Sequence, residues 1–149
     1  MSFTLQAVNA PVTTAGTAIP GQQVTVPVTV TGFSKIGSFY LNLEYDYANL
    51  QFVSASPHPS LTGFLNYNDT DRGNGIHRLI ISWSGGINGV SLPDGSSIVN
   101  YVLNFTSGPA TLRWYLSGPY CQYTDPKAIA LEDTPKLNYY LTLRKNTDI

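Results

Sequence analysis

The strongest signal along the chain is alternation. Phe39, Leu41, Leu43 and Tyr45 share one parity, while Ser38, Tyr40, Asn42 and Glu44 share the other. A period of two with apolar residues on one side is the pattern of a strand buried on one face. Val24, Val26, Val28 and Val30 stand in the same way against Thr25, Pro27, Thr29 and Thr31. Val99, Tyr101, Leu103 and Phe105 repeat the rule, as do Leu137, Tyr139, Leu141 and Leu143. No window of about a dozen residues carries apolar positions at helical spacing. Strands are expected near Phe3 to Val8, Gln22 to Thr31, Gly37 to Tyr45, Leu50 to Ala55, Phe64 to Asn68, Ile76 to Trp83, Ser97 to Phe105, Ala110 to Leu116 and Leu137 to Leu143. Each is bounded by Gly, Pro, Asn or Asp.

The punctuation between these runs is equally specific. Pro93, Asp94, Gly95 and Ser96 have the composition of a tight turn, and Asn68 to Gly75 reads as a long hairpin loop. Pro27 lacks the amide that a ladder needs, so a bulge or an unpaired edge is expected there. Ala10 to Gly21 is a Thr, Pro and Gly-rich connection, and Lys145 to Ile149 reads as a frayed tail. With one apolar face on every strand, two antiparallel sheets packed face to face are the simplest architecture. The expected fold is an all-β, two-sheet sandwich of about nine strands.

A chain of 149 residues suits a single domain spanning positions 1–149. Charged residues make up 11% of it and the formal net charge is −1, with no basic run, so the electrostatic footprint of a nucleic-acid binder is missing. Nowhere do 18 or more apolar residues follow one another, and Met1 to Ala10 lacks the basic-then-apolar order of an export signal. We read the chain as a module of a longer exported protein, extracellular or at the cell surface. Cys121 is the only cysteine, which leaves no partner for an internal disulfide and makes it a candidate small core residue.

Candidate chemistry is sparse. The pool of acids, bases and nucleophiles for a catalytic site is small: two histidines, one cysteine and nine carboxylates, with no helix expected to present them. His58 falls between two prolines and His77 opens a strand, positions read as a loop and a strand-end histidine, and no local signature supports Cys121 with a distant histidine as a thiol nucleophile. Asp69, Asp71, Gly73 and Asn74 resemble an ion-binding loop until counted: an EF-hand needs an oxygen donor where Gly73 stands and a glutamate where Ile80 stands. Asp69 with Asp71, and Glu132 with Asp133, are read as solvated loop charges in place of a glycosidase pair. Asn68 and Asn104 begin sequons that matter only where the source glycosylates. No enzyme activity, metal or cofactor is expected.

Aromatic residues are the unusual feature, with ten tyrosines and two tryptophans. Trp83 and Trp114 fall on the inward parity of their strands beside Leu79 and Ile81, and Leu112 and Leu116. Tyr40 and Tyr115 fall on the outward parity, the second beside Arg113. An outward tyrosine either pairs across strands or serves as a recognition anchor.

The run VTVPVTVTGFSKIGSFYLNLEYDYANLQFVSASP, then RLIISWSGG, LPDGSSIVNYVLNFTSG and CQYTDPKAIAL, resembles the cohesin family over nearly the whole chain. The resemblance implies a jelly-roll sandwich related to carbohydrate-binding modules. One sheet would contain the eighth, third, sixth and fifth expected strands, the other the ninth, first, second, seventh and fourth. In cohesins the first of these faces receives the dockerin domain of an enzyme. Carried onto this sequence, that face comprises Arg113 and Tyr115; Ser38, Tyr40 and Asn42; Arg78, Ile80 and Ser82; and Phe64, Asn66 and Asn68. Ser38 and Tyr40 stand where dockerin-binding cohesins favour Asn and Asp, and Tyr47 replaces the proline after Tyr-Asp, which puts partner identity in question more than fold. The implied function is a non-catalytic, monomeric module that docks a dockerin-like protein. The alternatives are a carbohydrate-binding module, holding polysaccharide on Tyr40 and Tyr115, and a structural or adhesin spacer.

Overall fold

Alternating sequences become strands here because each can hide its apolar parity in one shared layer. The computed structural model describes residues 15–85, 87–115, 122–131 and 140–145. These contain β1 (Ala15–Ala18), β2 (Gln22–Thr29), β3 (Ser38–Asp46), β4 (Leu50–Pro57), β5 (Phe64–Asp71), β6 (Ile76–Ser84), β7 (Ser97–Phe105), β8 (Ala110–Trp114), β9 (Gln122–Thr124), β10 (Ala130–Leu131) and β11 (Tyr140–Lys145). No helix occurs among the described residues. The chain is therefore all-β and built from two sheets, as the alternation requires. The expected strand at Phe3 to Val8 lies outside the described residues, as do Leu116, Cys121, Glu132, Asp133, Leu137 to Tyr139 and the tail after Lys145.

The larger sheet runs β1-β11-β8-β3-β6-β5, with β9 paired to β3 and to β10, and the smaller runs β2-β7-β4. The expected neighbours β8, β3, β6 and β5 are thus adjacent, and so are β2, β7 and β4. One difference lies at the seam. The resemblance placed the last strand in the smaller sheet, but β11 pairs antiparallel with β8, Tyr140 opposite Arg113, and carries β1 in parallel on its other side. The edge of β8 would otherwise offer unpaired backbone groups, and β11 covers it.

Phe39, Leu41, Leu43 and Tyr45 of β3 are buried with Leu79, Ile81 and Trp83 of β6, facing Val26 and Val28 of β2 and Val99, Tyr101, Leu103 and Phe105 of β7. Trp114 and Leu112 of β8 complete the layer. Pro27 is exposed on β2, which is an edge strand among the described residues, and the register irregularity falls at Val28/Thr29, so the missing amide is accommodated there. The turn at Pro93 closes with the Ser96 amide donating to the Pro93 carbonyl and Gly95 at φ 88°. Three details depart from the sequence reading. Ala15–Ala18 is a strand within the supposed connection, Val53 is extruded by a register shift between Phe52 and Ser54, and β5 runs on to Asp71, which shortens the hairpin loop after it.

Candidate functional site

The outward face of β9, β8, β3, β6 and β5 can be read row by row from the pairing register. Thr124 lies beside Ser38 and Ser84, Gln122 beside Tyr40, Ser82 and Asn66, Asn42 beside Ile80 and Asn68, and Arg113 beside Glu44, Arg78 and Thr70. Tyr115 joins the third row, its amide donating to the Asn42 carbonyl at 3.0 Å. The face is graded: hydroxyls at one end, tyrosine, isoleucine and asparagine in the middle, charges at the other end.

The charged row is a fixed network. Arg78 donates from Nη2 and Nε to Glu44 Oε2 at 2.9 and 3.2 Å, and Arg113 Nε lies 3.8 Å from Glu44 Oε1. The Arg78 guanidinium also sits 3.7 Å from the centre of the Tyr115 ring. One carboxylate thus serves two cations while an aromatic face takes up the remaining charge of the more buried one.

All ten candidate residues, Ser38, Tyr40, Asn42, Asn66, Asn68, Arg78, Ile80, Ser82, Arg113 and Tyr115, fall on this one face. Their accessibility differs. Tyr40 is 39% exposed, Asn66 and Asn68 are exposed, and Ser38, Ile80, Ser82, Arg113 and Tyr115 are half-buried. Asn42 at 1% and Arg78 at 8% are buried, contrary to their reading as contact residues. Parity set their direction correctly, but the Tyr115 ring lies over the Arg78 guanidinium and both side chains are buried beneath the face. Only the backbone of Phe64, opposite Ser84, is described.

Glu44 was absent from the expected contact set, although its outward parity between two arginine-bearing strands was visible and it joins Arg78 and Arg113 on the face. Thr124 and Gln122, on the three-residue β9, extend the face beyond β3 and gave too short a run for periodicity to detect.

Among the described residues, Asp69, Asp71, His58 and His77 make local contacts. The Tyr45 hydroxyl donates to Asp69 Oδ2 at 2.7 Å, and His77 Nδ1 lies 3.3 Å from both oxygens of the same carboxylate. The His77 ring stacks on Tyr47 with centroids 4.0 Å apart, and Asp71 Oδ1 accepts the Gly73 amide. His58 Nδ1 accepts the Ser60 amide. Among the described residues no three His, Cys, Asp or Glu side chains gather as a metal cage would need.

Burial, then the hydrogen bond and charge of Asp69, push the Tyr45 hydroxyl far above the ordinary tyrosine value of 10.0. The folded state therefore holds this proton more tightly than the unfolded chain does. The linked stability is complete below pH 10 and is lost as pH rises above it. By about pH 11 the wild type should have lost roughly 1.4 kcal/mol more than Tyr45→Phe, as measured by urea unfolding across the alkaline range. Parallel profiles for the two proteins would refute the assignment.

Known proteins resemble the chain in sequence profile and in fold. The Cohesin domain profile matches residues 8–100. No curated protein matches the chain. Among solved structures, the sixth cohesin from scaffoldin B of Acetivibrio cellulolyticus, in complex with a Cel5 dockerin, is similar at TM-score 0.69 and 17% identity, over 94% of this chain and 99% of that one. The cohesin of a Coh-OlpA–Doc918 complex from Clostridium thermocellum gives 0.71 and 16%, over 94% and 99%. A non-cellulosomal cohesin from the archaeon Archaeoglobus fulgidus gives 0.68 and 19%, over 95% and 92%. At such identities the structural likeness speaks for the fold alone.

Proposed function

Because the chain belongs to the cohesin family, we propose that it is a non-catalytic docking module, one domain of a longer extracellular or cell-surface protein, that binds a dockerin-like partner through the face of β8, β3, β6 and β5. The observation that carries this reading is the arrangement around Tyr40. An exposed tyrosine stands at the middle of a sheet face beside Ser82, Asn66 and half-buried Ile80, and next to it the Glu44, Arg78 and Tyr115 cluster is held rigid. Interface anchors are drawn from such aromatic and arginine groups on surfaces that do not rearrange. A stable contact buries on the order of 800 Å² per partner, which a sheet face of this extent with its loops can supply. Two of the similar cohesins were solved with dockerins, which supports the same choice of partner.

The test is calorimetric titration of the chain against a panel of dockerin modules. Binding by at least one is expected, with Tyr40→Ala weakening it by about 2 kcal/mol, roughly 30-fold in Kd. Failure with every dockerin, together with retention on insoluble polysaccharide lost in Tyr40→Ala and Tyr115→Ala, would replace this reading with the carbohydrate-binding one. Full function of the parent protein with Tyr40, Ile80 and Arg113 all substituted would leave only a spacer.

A further inference from the structure

The hydroxyl end of the face opens into a cleft of about 220 Å³, and we infer that this cleft receives a lysine or arginine side chain of the docked partner. The inference rests on the docking reading and names the chemistry that it requires at this end of the surface. Ser38, Ser84 and Thr124 come from three adjacent strands and line the cleft with Asp125, and Ile87, 84% exposed, stands at its rim.

Its size argues for a single side chain. Sites for drug-sized ligands run from about 300 to 1,000 Å³, and this cleft falls below them. Its chemistry argues for a cation. The described lining residues include Asp125 and no Lys, Arg or His. Asp125 Oδ1 accepts the amides of Lys127 and Ile129 at 2.8 and 3.0 Å, which fixes the turn and the direction of the carboxyl group. Among the described residues, Oδ2 takes no hydrogen bond or ion pair. The Ser38 and Thr124 hydroxyls are bonded to each other, so their remaining lone pairs offer acceptors to an incoming donor. An ammonium brings three donors and a guanidinium five, with the charge that Oδ2 lacks.

The cleft is also preformed. A Cβ at Gly37 would come within 2.6 Å of the Asp125 carbonyl oxygen, and one at Gly85 would collide with the Thr62 carbonyl oxygen, so backbone packs directly against backbone on two sides. At Gly37 and Gly85 a guest therefore meets close-packed backbone, and a preformed wall lowers the ordering cost of one inserted side chain.

The pocket can be tested without a partner. Adding n-butylammonium to ¹⁵N-labelled protein should shift the amides of Ser38, Ser84, Thr124 and Asp125 with a Kd on the order of 10 mM, whereas 1-butanol should not. Asp125→Asn keeps the Oδ1 acceptor and removes the charge, and should weaken the response at least fivefold. Ser84→Leu, which fills the cleft from an exposed strand position, should abolish it. Equal shifts with amine and alcohol, no shifts at all, or an unchanged response in Asp125→Asn would each overturn the inference. With any dockerin that binds the chain, Asp125→Asn should raise the dissociation rate about tenfold and flatten the salt dependence. A dockerin that binds both proteins equally would sink the cleft and leave docking intact, while absence of any dockerin binding would sink docking and leave the amine titration to judge the cleft.

Discussion

Trp83→Ala is expected to cost about 3–5 kcal/mol of folding stability, the range for deleting a buried tryptophan side chain. The indole is 1% exposed, packs against Phe39 with ring centroids 5.5 Å apart, and donates from Nε1 to the Thr62 carbonyl at 2.9 Å. Truncation therefore removes core contacts and a hydrogen bond together. For a domain of this length the loss corresponds to a fall in Tm of roughly 10 °C, readable by differential scanning calorimetry. Trp83→Phe separates the two contributions, since it retains most of the packing and loses only the bond to Thr62, and should cost about 1–2 kcal/mol. The consequence reaches the surface, because the Thr62 carbonyl also packs against Gly85 at the wall of the cleft. A cost below 1 kcal/mol for Trp83→Ala would mean that the two sheets do not close over this residue as described.

How much of this was legible in the sequence follows from what a period of two can encode. It assigns each side chain to a face, and it did so correctly for Phe39, Leu41, Leu43 and Tyr45, all 2% exposed or less, and for Tyr40 between them. It cannot say what lies across a face. Tyr115 is more than 70 residues from Asn42 in the chain, and only the pairing of β8 with β3 brings its backbone against that residue and its ring against Arg78. Those two residues therefore looked like exposed contact positions, yet both side chains are buried. Short elements escape for a different reason. β1, with the sequence Ala-Gly-Thr-Ala, and the two-residue β10 have too few apolar side chains to show any period, and they are strands because a partner supplies their hydrogen bonds. The register shift in β4 is likewise invisible, since Phe52, Val53 and Ser54 read equally well with or without an extruded valine.

Glu44→Ala should be the most damaging change on the polar face, at about 3–5 kcal/mol, because it removes the carboxylate that pairs with a buried guanidinium. The Arg78 side chain is 10% exposed and the Glu44 side chain 14%, so water cannot replace the carboxylate as it would around a surface pair. Tyr115 holds one face of the guanidinium and Arg113 loses its only carboxylate neighbour within 4.0 Å among the described residues, so the whole row is disturbed. Glu44→Leu combined with Arg78→Met replaces the ion pair with apolar side chains of comparable volume and should recover most of the loss, since the penalty in the single variant comes from the stranded charge. Urea unfolding of the two single variants and the double variant measures this as a coupling energy. A cost for Glu44→Ala under about 1 kcal/mol, the level of exposed ion pairs, would mean that solvent reaches Arg78. The proposed docking face would then lack the base on which Tyr40 and Tyr115 are presented. If the cost falls in the expected range, the carboxylate that sequence parity assigned to the surface is the group that keeps the surface in shape.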